Sequence, residues 1–363
     1  MYDLATGIYS AEQIRDMLTS DREVWYEFDL LNKNDVPIGQ VSATGFIDYN
    51  STAAIKRAAQ LQIIEANDID FLSDKVQPFM CLKTPTGEER FPLGVFYMSS
   101  PTREASVGSV RRAIECYDVT LALLDDKFTT RYKVSAGTRY DLAILNILAL
   151  AGISDAIVTP TELTVKADIE FALGVTKLDA INQLLKAINY NNIYANQNGR
   201  LVCEPYQNPL NRVPEAKYIT DAKSVIFSGI REELDIYNLP NKVVRYLESA
   251  ERGVLIAEVT NTDPTSKLST VSRGRTIVDI APVNDIADQA TLNAYAAKCM
   301  DNYKIYQRIV FDTITMPNHG DLDCLYVINN ELDISGKYVE EAWHMDLSLG
   351  GRMKHTARKV YSL

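Results

Sequence analysis

Hydrophobic and polar positions along the chain change period several times, and each change marks an element. Residues 24–31 are rich in aromatic and β-favouring side chains, Asn32-Lys33-Asn34-Asp35 has turn composition, and residues 38–47 return to a two-residue period, which predicts a hairpin. Residues 54–64 fit helix or strand, and the strands on either side favour strand. Residues 78–82 and 91–98 predict another hairpin around Thr84-Pro85-Thr86-Gly87, and residues 110–119 close the set. Short strands at such near-regular spacing signal a small antiparallel barrel or sandwich. Ahead of them Ser10-Ala11-Glu12-Gln13 reads as a capping box, and Ile14, Met17 and Leu18 continue a short helix.

After Asp118 the period becomes helical. Thr138 is placed to cap a helix on which Leu142, Ile144, Leu145, Ile147, Leu148 and Leu150 cover most of the circumference, with Gly152 as its stop. A helix so apolar is expected to be buried between other elements. The stretch 171–206 organises the rest of the chain. In it Thr176 caps a helix, Asp179 answers across the first turn, and Leu178, Ile181, Leu184, Leu185 and Ile188 recur on one face. Ile193 and Tyr194 then run into Asn196-Gln197-Asn198-Gly199, a turn signal, and Leu201, Val202 and Cys203 follow before Pro205. A helix feeding a hairpin makes a central α/β piece between two β-rich segments.

Residues 208–214 read as a linker. Short strands are predicted at 222–230, 242–247 and 253–259, an exposed excursion at 265–282, and an Ala-rich helix at 288–300 with Leu292, Tyr295, Ala296 and Cys299 on one side. Residues 308–315, 322–328 and 337–349 return to strands, and no internal repeat is evident.

Composition narrows the classes of function. With 363 residues, 46% of them apolar and 23% charged, the chain can bury an ordinary core, and its length favours two or three domains. A net charge of -11 argues against gripping nucleic acid or an anionic membrane, since either needs clustered Lys and Arg. Cys81, Cys116, Cys203, Cys299 and Cys324 are odd in number and far apart, so they read as buried thiols rather than a disulfide framework or metal site. Residues 1–10 carry Asp3 and no apolar core of a leader, and no apolar run approaches the roughly 20 residues of a spanning helix. The expectation is a soluble protein made in a reducing compartment. Asn50-Ser51-Thr52 fits a glycosylation sequon, read as a chance match.

Candidate chemistry is sparse. His319, Asp321 and Asp323 would share a face if they lay on a strand, as a metal site or acid/base pair would need, but Pro317-Asn318-His319-Gly320-Asp321 has turn composition. Glu232 with Glu233, Asp125 with Asp126, and Glu340 with Glu341 are paired carboxylates of the kind glycoside hydrolysis uses, yet adjacent carboxylates point apart and read as solvated surface. Gly350-Gly351 lacks the flanking strand and helix of a phosphate loop. Only His319, His344 and His355 could serve as bases, and none has a nucleophile's context. No catalytic, cofactor-binding or metal residue is assigned, and no enzyme activity is expected.

The order of blocks carries a resemblance. Residues 110–127 (VRRAIECYDVTLALLDDK), the helix of 137–152, the GVTKLDAINQLLKAINY and NGRLVCEPY blocks within 174–206, and the terminal GGRMKHTAR of 350–358 resemble the baseplate hub proteins of phage tails. The likeness spans nearly the whole chain and extends to hubs of contractile-tail phages, Gram-positive prophage-like particles and R-type tail bacteriocins. It implies an α+β fold in which two small antiparallel β-barrels of tail-tube-like type flank a central α/β domain. The first barrel would be 1–120, the α/β domain 121–215, the second, discontinuous barrel 221–260 and 306–363, and an insertion with one helix 261–305. It further implies a homotrimer in the virion tail baseplate that adapts a six-fold tail tube to a three-fold spike, assembled in the bacterial host cytoplasm. Its partners would be the tail tube protein, the spike or tail-tip protein and other baseplate proteins, with DNA only as passing cargo and no membrane. A channel lined by Asp and Glu would repel that DNA. The alternative of another class is a tail-associated peptidoglycan hydrolase acting on the host cell wall.

Overall fold

The computed structural model describes residues 1–64, 69–99, 101–106, 109–221, 224–234, 237, 239–249, 253–283, 285–303 and 307–360. Most of the β-favouring segments read from the sequence become strands, and among the described residues one sheet holds 15 strands, several of them not foreseen. Its main path runs from Arg231–Leu234 through Gln307–Ile314, Arg352–Lys359, Ile334–Leu347, Ser42–Asn50, Arg57–Ile64 and Ser109–Asp118, then Phe96–Met98, Lys75–Thr84 and Val24–Leu31 to Pro37–Gln40. Cys324–Asn329 branches from Ile334–Leu347 and pairs in parallel with Ala216–Ile219. The α+β class holds, while the strands form an open path, with no closed barrel among the described residues.

The two β-rich segments meet inside this sheet. Ile334–Leu347 pairs with Cys324–Asn329 early in its length and with Ser42–Asn50 late in it, so one strand belongs to both halves. A β-bulge between Glu340 and Ala342 marks the change. Before it Tyr338 points into the core of Tyr218, Ile309, Phe311 and Leu325; after it Trp343, Met345 and Leu347 point into the core of Ile47, Leu61, Met80 and Phe96. The extra residue shifts the inward parity from even to odd positions, so the strand hands its side chains from one core to the other. Gly45 is fixed by the same crowding, because it pairs with both Leu347 and Leu61, and a Cβ there would lie 1.9 Å from the Gln60 carbonyl oxygen.

Local signals set the helices. Ser10 and Gln13 form the capping box of Ala11–Thr19, which buries Ile14 and Leu18. Thr176 accepts from the Asp179 amide and starts Lys177–Ala187, whose Leu178, Ile181, Leu184 and Leu185 are buried against Tyr140–Leu150 in the α/β core. Tyr194–Ala195 and Leu201–Cys203 pair around Gly199, in a left-handed conformation with φ 76°, as the Asn-Gly turn signal requires.

Several expectations are corrected. Residues 38–47 are not one strand: Pro37–Gln40 pairs with Val24–Leu31, and after Val41 the chain leaves that hairpin to pair with Arg57–Ile64. Lys75–Thr84 turns into Gly87–Pro92, not into 91–98, and Phe96–Met98 pairs separately. Arg139, not Thr138, occupies the cap position of Tyr140–Leu150, and that helix is not enclosed, since Leu142, Leu145 and Leu150 are exposed at 47%, 41% and 56%. The strand expected at 222–230 has Ala222 and Lys223 outside the described residues, and its later residues carry one bridge, Ile226 to Thr313, ahead of Arg231–Leu234. Lys242–Ser249 and Gly253–Thr260 do not join the second half of the main sheet. They pair with each other and with Val278–Pro282 in a separate three-stranded sheet under the helix Gln289–Tyr303. The excursion at 265–282 is therefore partly structural. Buried Asn241 accepts from the Ile277 amide and donates to the Arg275 carbonyl, which brings Val278–Pro282 alongside. Period alone hid this strand, because a parallel edge strand after a polar loop has no hairpin turn to announce it.

Candidate functional site

The loop before Cys324–Asn329 lies where the two halves of the sheet and the α/β unit converge. Residues 319, 321 and 323 are not on a strand, as the turn composition predicted, but neither are they solvated. His319 is 2% exposed and Asp323 fully buried. The carbonyl of His319 accepts from Arg57 of the first half at 3.3 Å and from Gln197 of the α/β hairpin at 2.8 Å. Its ring faces the second half.

There His319 Nδ1 lies 2.5 Å from Glu340 Oε2, and His355 Nδ1 lies 2.5 Å from Glu340 Oε1. One carboxylate thus bridges two imidazoles, and all three side chains are at 0% exposure. Tyr218 closes the chain at the His319 end, 2.6 Å from Nε2, and Thr313 at the His355 end, 2.8 Å from Nε2. Burial acts against the Glu340 charge, but the charges and hydrogen bonds of the two imidazoles win and bring its pKa down to about 2. His319 has the opposite balance: burial lowers it, and Glu340, with help from Asp323, carries it above its ordinary value. His355 falls below its ordinary value because burial outweighs the same carboxylate, and the His319 charge adds to the fall. The arrangement favours charge on Glu340 and His319 and disfavours it on His355.

Asp323 faces the same seam, with Oδ1 3.0 Å from the Met1 amino group and Oδ2 accepting from the Gly320 amide at 2.7 Å. Asp321 points elsewhere. It accepts from Lys56 at 2.8 Å and from the Tyr49 hydroxyl at 2.9 Å. Arg57, buried beside it, donates to the Leu93 carbonyl and lies 5.3 Å from the Trp343 ring centroid. Met1, the strands of Tyr49 and Arg57, the α/β hairpin of Gln197, the strand of Tyr218 and the strand of Glu340 are thereby tied to one loop.

The metal reading of His319, Asp321 and Asp323 fails on geometry, since Asp321 is turned to Lys56. His319, Glu340 and His355 do bring ligand atoms within 4.8 Å of one another. Their nitrogen-to-oxygen separations of 2.5 Å are those of hydrogen-bonded pairs, however. Around a shared, tetrahedrally bound ion with bonds of about 2.1 Å neighbouring ligand atoms stand about 3.4 Å apart. Glu340 also overturns the expectation of a solvated Glu340 and Glu341 pair, for Glu341 alone turns outward, to Arg358 at 2.6 Å. The other pairs remain at the surface side: Asp126 holds Lys177, and Glu233 meets Arg231 and Arg308. His344 stands on the outer face against Asp48, 2.7 Å away, and Gly350-Gly351 turns one strand into the next.

The sequence places Glu340 at the surface with Glu341, gives His355 no partner and does not single out Tyr218. A signal was present: Glu340 shares the inward parity of Tyr338, and His355 that of Met353 and Ala357. Beside the seam a cleft of about 530 Å³ is lined by Lys56, Lys186, Lys298, Tyr190, Tyr206 and Tyr295. Lys298 Nζ stands 4.4 Å from the Tyr206 ring centroid, and burial draws its ammonium down to about 8, with the Lys56 charge acting in the same direction.

No protein-family model matches the sequence, and no curated protein does either. Solved structures share the fold. A tail protein of Neisseria meningitidis has a TM-score of 0.66 at 15% identity, over 92% of this chain and 97% of that one. A 43 kDa tail protein of the prophage MuSo2 from Shewanella oneidensis has 0.62 at 13% identity, over 92% and 98%. A prophage tail protein of Listeria monocytogenes has 0.59 at 12%, over 92% and 94%. The fold is thus one found in phage and prophage tail proteins. The resemblance to baseplate hubs read from the blocks holds at the level of fold.

Proposed function

We propose that the chain is the structural hub of a phage or phage-like tail baseplate. It acts as a homotrimer that adapts a six-fold tail tube to a three-fold spike and lines a central channel. The observation that carries this reading is the edge-to-edge splice of two β-rich halves through Ile334–Leu347 and Ser42–Asn50. A chain that joins two such halves within itself presents two units per copy, so three copies present six. Among the described residues the path ends at Arg231–Leu234 and at the exposed Pro37–Gln40, and such end strands are the edges to which neighbouring copies can add.

The work is geometric. The buried seam holds the two halves and the α/β unit at one fixed angle, which a ring of repeated units needs at every junction. Nothing in this task calls for a reacting group. The carboxylates a peptidoglycan hydrolase would draw on are committed elsewhere, Asp321 to Lys56 and Glu340 to two imidazoles. The net charge of -11 suits a channel that passes DNA without holding it. Tail tube, spike and other baseplate proteins are the partners, and the virion tail baseplate, assembled in the host cytoplasm, is the location.

Light scattering after size exclusion tests the reading. A species near three times the 40.6 kDa chain is expected. A monomer at every concentration, unchanged when tube and spike proteins are added, sinks it. Clearing of a cell-wall suspension by the purified protein would bring the hydrolase forward instead.

A further inference from the structure

The helix Gln289–Tyr303 serves two surroundings. Leu292, Ala296 and Met300 pack on the three-stranded sheet, while Tyr295, Lys298, Cys299 and Asn302, three to four residues apart, share another face and line the cleft of about 530 Å³ beside the seam. Two other elements reach the same cleft. The last turn of Lys177–Ala187 contributes Lys186, and the residue ahead of Arg57–Ile64 contributes Lys56.

The charges that line this cleft do not cancel. Lys56 is paired with Asp321 at 2.8 Å, and Arg358 with Glu341 at 2.6 Å. Lys186 and Lys298 meet no carboxylate among the described residues. Their ammonium groups stand over tyrosine rings instead, Lys186 5.3 Å from the Tyr295 centroid and Lys298 4.4 Å from that of Tyr206. Lys298 also reaches the Tyr190 carbonyl, at a long 3.4 Å. Asp301, on the same helix, is held by the Asn208 amide at 2.7 Å. Lys298 is half-buried, and burial together with the Lys56 charge draws it down to about 8. In a chain of net charge -11, one cleft thus gathers two cations that its own carboxylates leave uncompensated.

We propose that this cleft binds a small phosphate ester, its phosphate held between Lys186 and Lys298. The proposal does not depend on the trimeric reading. A phosphate dianion matches two ammonium charges, whereas a single carboxylate would leave one of them over. The wall adds the Ser51 hydroxyl and the Asn302 amide as neutral donors. The volume is that of a small-molecule site and exceeds what a bare phosphate fills, so the tyrosine rings are left to receive an organic group. The desolvation that Lys298 bears in the empty cleft is then offset by the arriving anion.

Calorimetric titration of the full-length chain with inorganic phosphate and with phenyl phosphate tests this, with glutamate as the carboxylate control. Phenyl phosphate is expected to saturate one site per chain and to bind more tightly than inorganic phosphate. Lys298→Met and Lys186→Met should each weaken it about tenfold, the loss of one charge-assisted contact. Lys298→Met deletes a charge that opposes folding and Lys186 is exposed, so circular dichroism should show both variants folded. Phosphate is close to a dianion from pH 7 upward. Affinity should therefore fall as pH rises through about 8 in the wild type, where Lys298 loses its proton, and stay level in Lys298→Met. No saturable binding of either phosphate, or binding that neither substitution weakens, overturns the proposal. Preference for glutamate overturns it as well and makes the cleft a seat for an acidic peptide segment. Equal affinity for phosphate and phenyl phosphate would leave an adventitious ion only.

Discussion

His319 Nδ1 and Glu340 Oε2 lie 2.5 Å apart with neither side chain exposed to solvent, at the point where one strand passes from the core of one β-rich half into that of the other. An ion pair so placed adds little over a well-packed apolar pair, but removing one partner strands a charge in the interior. Its geometric value is different. The two imidazoles and one carboxylate can all be satisfied only when the loop of His319, the strand of Glu340 and the strand of His355 stand in one arrangement.

Glu340→Gln keeps the shape and deletes the charge, leaving a buried imidazolium without its partner. We expect a loss of about 3 kcal/mol in urea unfolding. Adding His319→Asn should recover part of that loss, because the orphaned charge goes with it. Strictly additive losses would show that the two side chains are not coupled.

Acid should expose the same pair. Glu340 titrates at about 2 in the folded chain, against about 4.3 when unfolded. The unfolded state therefore binds its proton first as pH falls, and the contribution present above about 4.5 is lost toward 2. His319, held above its ordinary value, gives a contribution that is complete below about 6.5 and lost as pH rises through its folded pKa. His355 is depressed and opposes it, costing stability as pH falls below about 6.5. Melting temperature followed against pH should drop between 4.5 and 2, and Glu340→Gln should flatten that limb. An unchanged acid limb in the variant would contradict the assignment.

The α/β hairpin docks through a glycine. At Gly199, with φ 76°, a Cβ would stand 2.7 Å from Val95 Cβ and Cγ2, whereas Gly137, at φ 84°, has open space around it. Gly199→Ala combines backbone strain with overpacking and is expected to cost about 2–4 kcal/mol, Gly137→Ala only about 1 kcal/mol. Equal melting temperatures for the two variants would remove the role given to the Val95 contact.

Lys298 provides a measurement of opposite sign. Its ammonium titrates at about 8 in the fold, against about 10.4 unfolded, so burying the charge opposes folding at neutral pH and the opposition fades as pH rises from 8 to 10.4. Lys298→Met should gain about 1 kcal/mol at pH 7 and nothing near pH 10.5. A loss at pH 7 would mean that the Tyr206 ring contact outweighs desolvation.

The sequence by itself determined what depends on neighbours along the chain. The caps at Ser10 and Thr176, the turn at Gly199, strands such as Val24–Leu31 and Arg57–Ile64, and the helix Lys177–Ala187 all follow from period and capping chemistry within about ten residues. The block order that resembles tail hubs was legible for the same reason, and the shared fold agrees with it. Only the tertiary structure decided which strands pair. The splice of Ile334–Leu347 to Ser42–Asn50 joins segments nearly 300 positions apart, and no local signal encodes such a register. The seam was hidden likewise: Tyr218, His319, Glu340 and His355 are ordinary polar residues in a linear reading. They become one network because pairing at a β-bulge points Glu340 inward, where the two imidazoles offset the cost of burying its charge.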